Sequence, residues 1–189
     1  SLGYKGSSTL PGHLLDFSIG QYDTYTPIQL SQYINTIANG GNRLKPYLLK
    51  EVYSPSVNDE DVFGDLLYAS EPKVLGTVDV DKKYMDRVKL GFNQVVSNGL
   101  GNGYMGEFTN SSGKTGTSQS FIDTDGNGKI DLETTTSTLV AYAPYEEPIV
   151  TFTVVSPDID YVGSNSTYIP NINAQISYKV SKKFFEIYK

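Results

Sequence analysis

Cysteine is absent from these 189 residues, so the chain can form no disulfide and offers no thiolate for catalysis. That suits a cytosolic chain and an exported one without disulfides equally well. Tryptophan is also absent, and histidine occurs once, as His13. A single imidazole without visible partners anchors no metal site, and no Asp is spaced to complete a Ser-His-Asp set. In its Pro-Gly-His setting His13 reads as structural or simply exposed. No stretch approaches the roughly 20 apolar residues that span a bilayer. No basic segment precedes an apolar run, so no signal peptide is visible. Basic residues are outnumbered, 15 against 21 acidic, for a formal charge of −6. Without a basic stripe such a chain is a poor partner for nucleic acid. Runs of five like charges are missing too, and Lys182-Lys183 reads as a solvated helix face.

Tyrosine, by contrast, is abundant at 15 residues, which suits half-buried strands and surfaces that touch peptides or sugars. A hydrophobic fraction of 38% with 19% charged residues describes a globular chain, long enough for one domain with its own core. The chain opens on Ser1 within loop-like sequence and reads as a fragment. Ser1 to Gln21, rich in Gly, Ser and Pro, reads as loop. A helix is then announced by Thr26 as N-cap, Pro27 at the first helical position and Gln29 three residues after the cap. Leu30, Tyr33, Ile34, Ile37 and Ala38 follow at helical spacing, and Asn39-Gly40-Gly41 stops it. Leu44 to Tyr53 reads as a strand with Pro46 near its start, and Ser54 to Asp61 as a polar surface loop. A second helix fits Asp81 to Ser97, with Asp81 as cap and Tyr84, Met85, Val88, Phe92, Val95 and Val96 as its apolar stripe. Asn98 to Gly106 reads as loop. Thr138 to Ala143 and Ile149 to Val155 read as antiparallel strands joined through Pro144 to Pro148. A last helix fits Pro170 to Tyr188, with Ile172, Ile176, Val180 and Phe184 spaced by four. Helices flanking an antiparallel sheet make the fold class α+β.

The segment that carries chemistry is Ser112-Gly113-Lys114-Thr115-Gly116-Thr117-Ser118. A phosphate-binding loop, G-x-x-x-x-G-K-[ST], needs Gly at position 108, which is Phe108; Gly106 lies two residues too far away. The residues after Gly116 also favour a strand over the helix such a loop requires. The other use of Lys-Thr-Gly is on an edge strand lining the site of serine acyl-transferases. There Gly116 leaves room for a substrate backbone, and the ammonium and hydroxyls take a carboxylate. The tripeptide alone would be a chance turn.

Its surroundings decide otherwise. Ser18-Ile-Gly-Gln21, Thr26-Pro-Ile-Gln-Leu30, Ile37-Ala-Asn-Gly-Gly41, Ser112-Gly-Lys-Thr-Gly-Thr117 and Val140-Ala-Tyr-Ala-Pro144 resemble, in order and spacing, the monofunctional (class B) penicillin-binding proteins. The Gly20-Gln-Tyr-Asp23 variant is similar to the Gram-positive branch associated with lateral wall elongation. The resemblance covers nearly the whole chain. It implies a penicillin-binding/β-lactamase-like transpeptidase fold, of which residues 1–189 are the C-terminal part of a single domain. It implies a D,D-transpeptidase of peptidoglycan: a serine attacks the stem peptide ending in D-Ala-D-Ala, a lysine one helical turn later takes its proton, and an acceptor amine resolves the acyl-enzyme. β-lactams bind the same site, and no cofactor is implied.

Residue by residue, Lys114 matches the motif lysine, supplying positive potential and helping proton transfer. Gly113, Thr115, Gly116 and Thr117 would line the substrate, the two hydroxyls holding its carboxylate. The N–H of Thr117 would be one of two oxyanion-hole donors, each worth about 3 kcal/mol of transition-state stabilisation. The family's S-x-x-K and S-x-N motifs, however, belong upstream. Ser111-Ser-Gly-Lys114 spells the first but overlaps the Lys-Thr-Gly motif, and Ser56-Val-Asn58 spells the second but follows the Thr26 helix. The nucleophile is therefore expected N-terminal to Ser1, on a missing segment or another chain. The implied partners are that segment, stem peptides, β-lactams and a membrane-embedded glycan polymerase of the elongation machinery. The implied location is the extracytoplasmic face of the membrane, with the anchor elsewhere.

Asp123, Asp125, Asn127 and Asp131 fall at positions one, three, five and nine of an EF-hand calcium loop, with Gly128 at six. Position twelve is Thr134 instead of Glu, with Glu133 one residue early. The alternative is an acidic turn linking two strands, since Asp-Gly and Asn-Gly accept positive φ readily, and it is the reading preferred here. Tyr33, Tyr84, Tyr142, Tyr168 and Tyr178 fall mostly at core-facing spacing and are expected to pack. Besides the enzyme part, two functions compete: a non-catalytic module that binds wall peptides or a partner, and a calcium-binding adhesion domain resting on residues 123–131 alone.

Overall fold

The structure, a computed structural model, describes residues 3–7, 9–57, 63–99, 101–105, 109–161 and 172–188. Helix α1 (His13–Ser18) precedes α2 (Pro27–Ala38) and four short strands, β1 (Asn42–Leu44), β2 (Glu51–Tyr53), β3 (Leu66–Ala69) and β4 (Val74–Thr77). Helix α3 (Lys82–Ser97) follows, then three long strands, β5 (Ser112–Ile122), β6 (Leu132–Ala143) and β7 (Val150–Tyr161), and finally α4 (Ile172–Ile187). No described helix is long and apolar enough to cross a membrane.

The three long strands form one antiparallel sheet in the order β5-β6-β7. Ser112 to Ile122 pairs without interruption against Tyr142 to Leu132. The centre of the sheet is the run Leu139 to Ala143 on β6, buried at every residue. Alternate residues face opposite sides of a strand, so a run buried throughout is covered on both sides. On one side Val140 and Tyr142 pack with Ile34, Ile37 and Ala38 of α2 and Met85 of α3. On the other, Ala141 and Ala143 pack with Val96, Met105, Phe152 and Phe185.

Helix α2 starts as its sequence predicts. The Thr26 hydroxyl accepts the Gln29 N–H while the Gln29 side chain accepts the Thr26 N–H, a complete capping box with Pro27 behind it. Helix α3 also begins after Asp81, but that carboxylate caps nothing; it pairs with Lys83 Nζ at 3.3 Å. The expected stripe of α3 is divided. Met85 and Val96 are buried, whereas Tyr84 and Val88 stay exposed.

Several expectations need correction. Leu44 to Tyr53 is not one strand: β1 pairs with β4 and β2 with β3, in separate two-stranded sheets. Pro46 supplies no backbone donor between them. Helix α1, within the expected loop, buries none of its residues, so no periodicity marks it. Helix α4 does not bury Ile176 and Val180; it buries Asn173, Ser177 and Ser181. Small side chains bring this helix close, and their polar groups satisfy what lies beneath. Ser177 Oγ donates to the Tyr104 carbonyl at 2.7 Å and Ser181 Oγ to the Met105 carbonyl at 3.3 Å. Asn173 accepts from Ser156 Oγ at 2.7 Å and donates to Ser137 Oγ at 2.9 Å. Of the tyrosines, Tyr142 is fully buried, but Tyr33 is 50% exposed and Tyr84 56%. Tyr178 is also exposed, and Tyr168, like Phe108, Gly106, Asn58 and Pro170, lies outside the described residues.

Candidate functional site

Strand β5 is a margin of its sheet: β6 pairs with it on one side, and the other side carries no strand among the described residues. A bare margin offers a row of N–H and C=O groups to any extended chain laid beside it. Lys114 stands exposed on this strand and makes no ion pair among the described residues; its Nζ donates to the carbonyl of Thr115 at 2.6 Å.

The register assigns each motif residue to a side. Lys114 lies opposite Val140 and Gly116 opposite Thr138, on the side of the sheet that α2 covers further along. Thr115 lies opposite Leu139 and Thr117 opposite Ser137, on the side where Asn173 of α4 meets Ser137. Lys114 and Gly116 are therefore brought together on one side, Thr115 and Thr117 on the other. All four share the bare margin, and a ligand running along it can reach both sides.

The two glycines differ. A Cβ on Gly113 would stand 3.0 Å from the Val140 carbonyl oxygen, 3.1 Å from Ala141 Cβ and 3.3 Å from Val96 Cγ2. Packing therefore demands glycine there, where α3 presses on the strand. A Cβ on Gly116 would meet nothing nearer than Thr138 Cβ at 3.7 Å, which is ordinary contact, and its φ is not left-handed. Nothing inside the chain requires Gly116. A glycine in a strand without such a cause marks a place where another backbone draws close.

The S-x-x-K candidate does not form the upstream-type pair. Ser111 is buried just before β5, and Lys114 follows on an extended strand, so the pair does not share a helical turn. Ser56 lies after β2, well beyond α2.

Sequence reading passed over the groups that hold the strand's entry. Asn93 on α3 donates through Nδ2 to Asn110 Oδ1 at 2.7 Å and to the Ser111 carbonyl at 2.8 Å. Asn110 in turn donates to Glu146 Oε1 at 2.7 Å, and its carbonyl accepts the Tyr145 N–H at 2.7 Å. The available signal was an Asn inside a helix, where its propensity is poor.

The acidic segment forms the β5–β6 connection. The carboxylates of Asp123, Asp125 and Asp131 lie within 4.8 Å of one another. Their oxygens already serve the turn. Asp123 accepts the N–H groups of Gly126 at 2.8 Å, Asn127 at 3.2 Å and Gly128 at 2.6 Å. Asp131 accepts the N–H and hydroxyl of Thr124, and Asn127 donates through Nδ2 to Asp125. The Gly128 N–H foremost holds the Asp123 carboxyl below its usual range, and the Thr124 hydroxyl does the same for Asp131. Gly126 and Gly128 take positive φ, 74° and 85°. Thr134, at the twelfth loop position, bonds Asp158, and Glu133 accepts from Gln119.

A wide apolar groove of about 860 Å³ opens between α2, α3 and the segment after β4 that carries Val78 and Val80, lined by Leu30, Tyr33, Ile37, Tyr84, Met85 and Val88 among others. Ile37 and Met85 also belong to the cluster around Val140 and Tyr142, so the groove lies on the Lys114 side of the sheet.

Comparison with known proteins gives the family of the chain. The family model described as the penicillin binding protein transpeptidase domain matches residues 1–178. Penicillin-binding protein 2A of Bacillus subtilis is 43% identical over 186 residues, covering 98% of this chain and 25% of that protein. Penicillin-binding protein H of the same organism is 37% identical over 152 residues, covering 80% of this chain and 21% of that protein. Among solved structures, penicillin-binding protein 2B of Streptococcus pneumoniae superposes with a TM-score of 0.77 at 28% identity, over 99% of this chain and 29% of that one. The chain thus spans about a quarter of the length of these relatives.

Proposed function

The chain belongs to the class B penicillin-binding protein transpeptidase family, and from that premise we propose that it supplies the carboxylate-binding half of a serine D,D-transpeptidase. The substrate is a peptidoglycan stem peptide ending in D-Ala-D-Ala, laid along the margin of β5. The observation that carries this reading is Gly116: an exposed strand residue two places from a lysine that makes no ion pair among the described residues, kept free of a side chain that the fold itself would tolerate.

In this reading the Lys114 ammonium and the Thr115 and Thr117 hydroxyls hold the terminal carboxylate, and the Thr117 N–H faces the developing oxyanion. The serine comes from an upstream part of the same domain. Its oxygen bonds the carbonyl carbon of the penultimate D-Ala, the bond to the terminal D-Ala nitrogen breaks, and the serine proton passes through a base to the departing amine. An acceptor amine then displaces the serine. A β-lactam takes the peptide's place and stops at the acyl-enzyme. The groove between α2 and α3, on the Lys114 side, receives apolar side chains of the upstream part; an uncovered surface of that kind is unusual on a finished domain. The working protein acts outside the membrane with its anchor in another segment, alongside a glycan polymerase of wall elongation.

The test is labelling with a fluorescent penicillin. The 189-residue chain alone should take no covalent label, and the same chain joined behind an upstream segment carrying S-x-x-K should take it. Label on the isolated chain would place the nucleophile within these residues. A joined, folded protein that stays unlabelled would favour a non-catalytic binding module instead.

A further inference from the structure

Strand β5 is gripped at its entry by groups from outside its own sheet. At its entry Asn93 reaches from α3 to both Asn110 and the Ser111 carbonyl, at 2.7 and 2.8 Å. Glu146, from the β6–β7 turn, holds the Asn110 amide at 2.7 Å, and the Tyr145 N–H holds the Asn110 carbonyl. One turn along α3 from Asn93, Val96 closes over Gly113. Beyond that point the strand has its β6 ladder and an open side. Lys114 stands where the gripped part meets the open part.

We propose that Asn93 is a positioning residue: through Asn110 and Ser111 it fixes where Lys114 stands at the sheet margin. The consequence for acylation rests on the transpeptidase reading above; the clamp itself does not. The chemistry asks for a neutral amide. Both receiving atoms are carbonyl oxygens, so a carboxylate at position 93 would repel them, and alanine would leave them without a donor. A glutamine would push its amide about one methylene too far. The residue also works against its own helix, because asparagine is a weak helix former at an interior position. Lys114 follows Ser111 by three residues, so the place of the Ser111 carbonyl sets where the strand that carries Lys114 begins.

Two variants cut the link from opposite ends, Asn93→Ala on α3 and Asn110→Ala at the strand entry, and Glu146→Gln keeps an oxygen acceptor as control. Backbone hydrogen exchange on the 189-residue chain should speed up about tenfold across residues 112–117 in both alanine variants. Residues 139–143 and 150–155 should keep their parent rates, and Glu146→Gln should match the parent throughout. In the joined protein the acylation rate constant should fall about ten- to a hundredfold, as a misplaced group implies, with prior binding of the β-lactam little changed. Exchange that rises uniformly over the sheet, or acylation at the parent rate in both alanine variants, would overturn the proposal and leave Asn93 an ordinary stabilising contact. If the joined parent protein takes no label at all, the transpeptidase reading fails, and the exchange pattern still decides the clamp.

Discussion

Replacing Gly113 and Gly116 by alanine, one at a time, should give opposite outcomes on the same strand. At Gly113 the new methyl meets the Val140 carbonyl oxygen at 3.0 Å, Ala141 Cβ at 3.1 Å and Val96 Cγ2 at 3.3 Å. Two of those atoms belong to β6, which is paired on both sides and cannot retreat. Overpacking of this kind costs about 1–3 kcal/mol. At Gly116 the methyl finds only Thr138, at 3.7 Å and beyond, with an ordinary φ. The folded state then loses nothing, and the unfolded chain loses freedom, a gain of about 0.4–1 kcal/mol. That methyl nevertheless occupies the Lys114 side of the margin, where the proposed ligand backbone would lie. The assay is urea unfolding followed by far-ultraviolet circular dichroism, because no tryptophan is present to report by fluorescence. It is paired with penicillin acylation of the joined protein. The expectation is a less stable Gly113→Ala, and a Gly116→Ala of parent stability or better that acylates about a hundredfold more slowly. Equal destabilisation at both positions, or a Gly116→Ala acylating at the parent rate, would refute the reasoning.

Two further outcomes concern the periphery. Ser177→Ala should destabilise by about 1 kcal/mol, because it strips the Tyr104 carbonyl of its donor, whereas Ser177→Val adds bulk under α4 and should cost about 1–3 kcal/mol, both read from urea midpoints. The β5–β6 turn should be acid-sensitive in a defined direction. Asp123 and Asp131 sit below the ordinary 3.8 in the folded chain, so their contribution is present above that value and fades as pH falls through the lower folded one. Exchange protection of the Gly126, Asn127 and Gly128 amides should follow that course. Calorimetric titration with Ca²⁺ should show no sub-millimolar binding, and such binding would overturn the turn reading.

Much of the architecture could be read from the residues because local signals and tertiary packing agree. Thr26, Pro27 and Gln29 announce α2 and then form the capping box themselves. Thr138 to Ala143 reads as a strand and forms the end of β6. The Lys-Thr-Gly segment was legible as a strand because the residues after Gly116 favour one, while its place at an edge was what the family resemblance implied. What escaped has a common cause. β3 and β4 are four residues each and almost wholly exposed, so no burial pattern reaches the sequence. The buried side of α4 is polar, and a search for apolar period passes over Asn173, Ser177 and Ser181 and settles on Ile176 and Val180. Gly113 and Gly116 look alike in the motif, and only the packing around each, from β6 and Val96, tells their causes apart. The Asn93 clamp joins residues 17 positions apart, which no local pattern encodes.

The margin of β5, bare among the described residues, also bears on how copies of this chain behave when crowded. An uncovered strand can recruit its own kind as readily as a ligand, and long apolar margins do so into fibres. Here Lys114 carries a charge, and Thr117, Ser118, Gln119 and Ser120 give a neighbouring molecule little oily surface before Phe121. The same hydroxyl-rich composition thereby guards the strand against self-association.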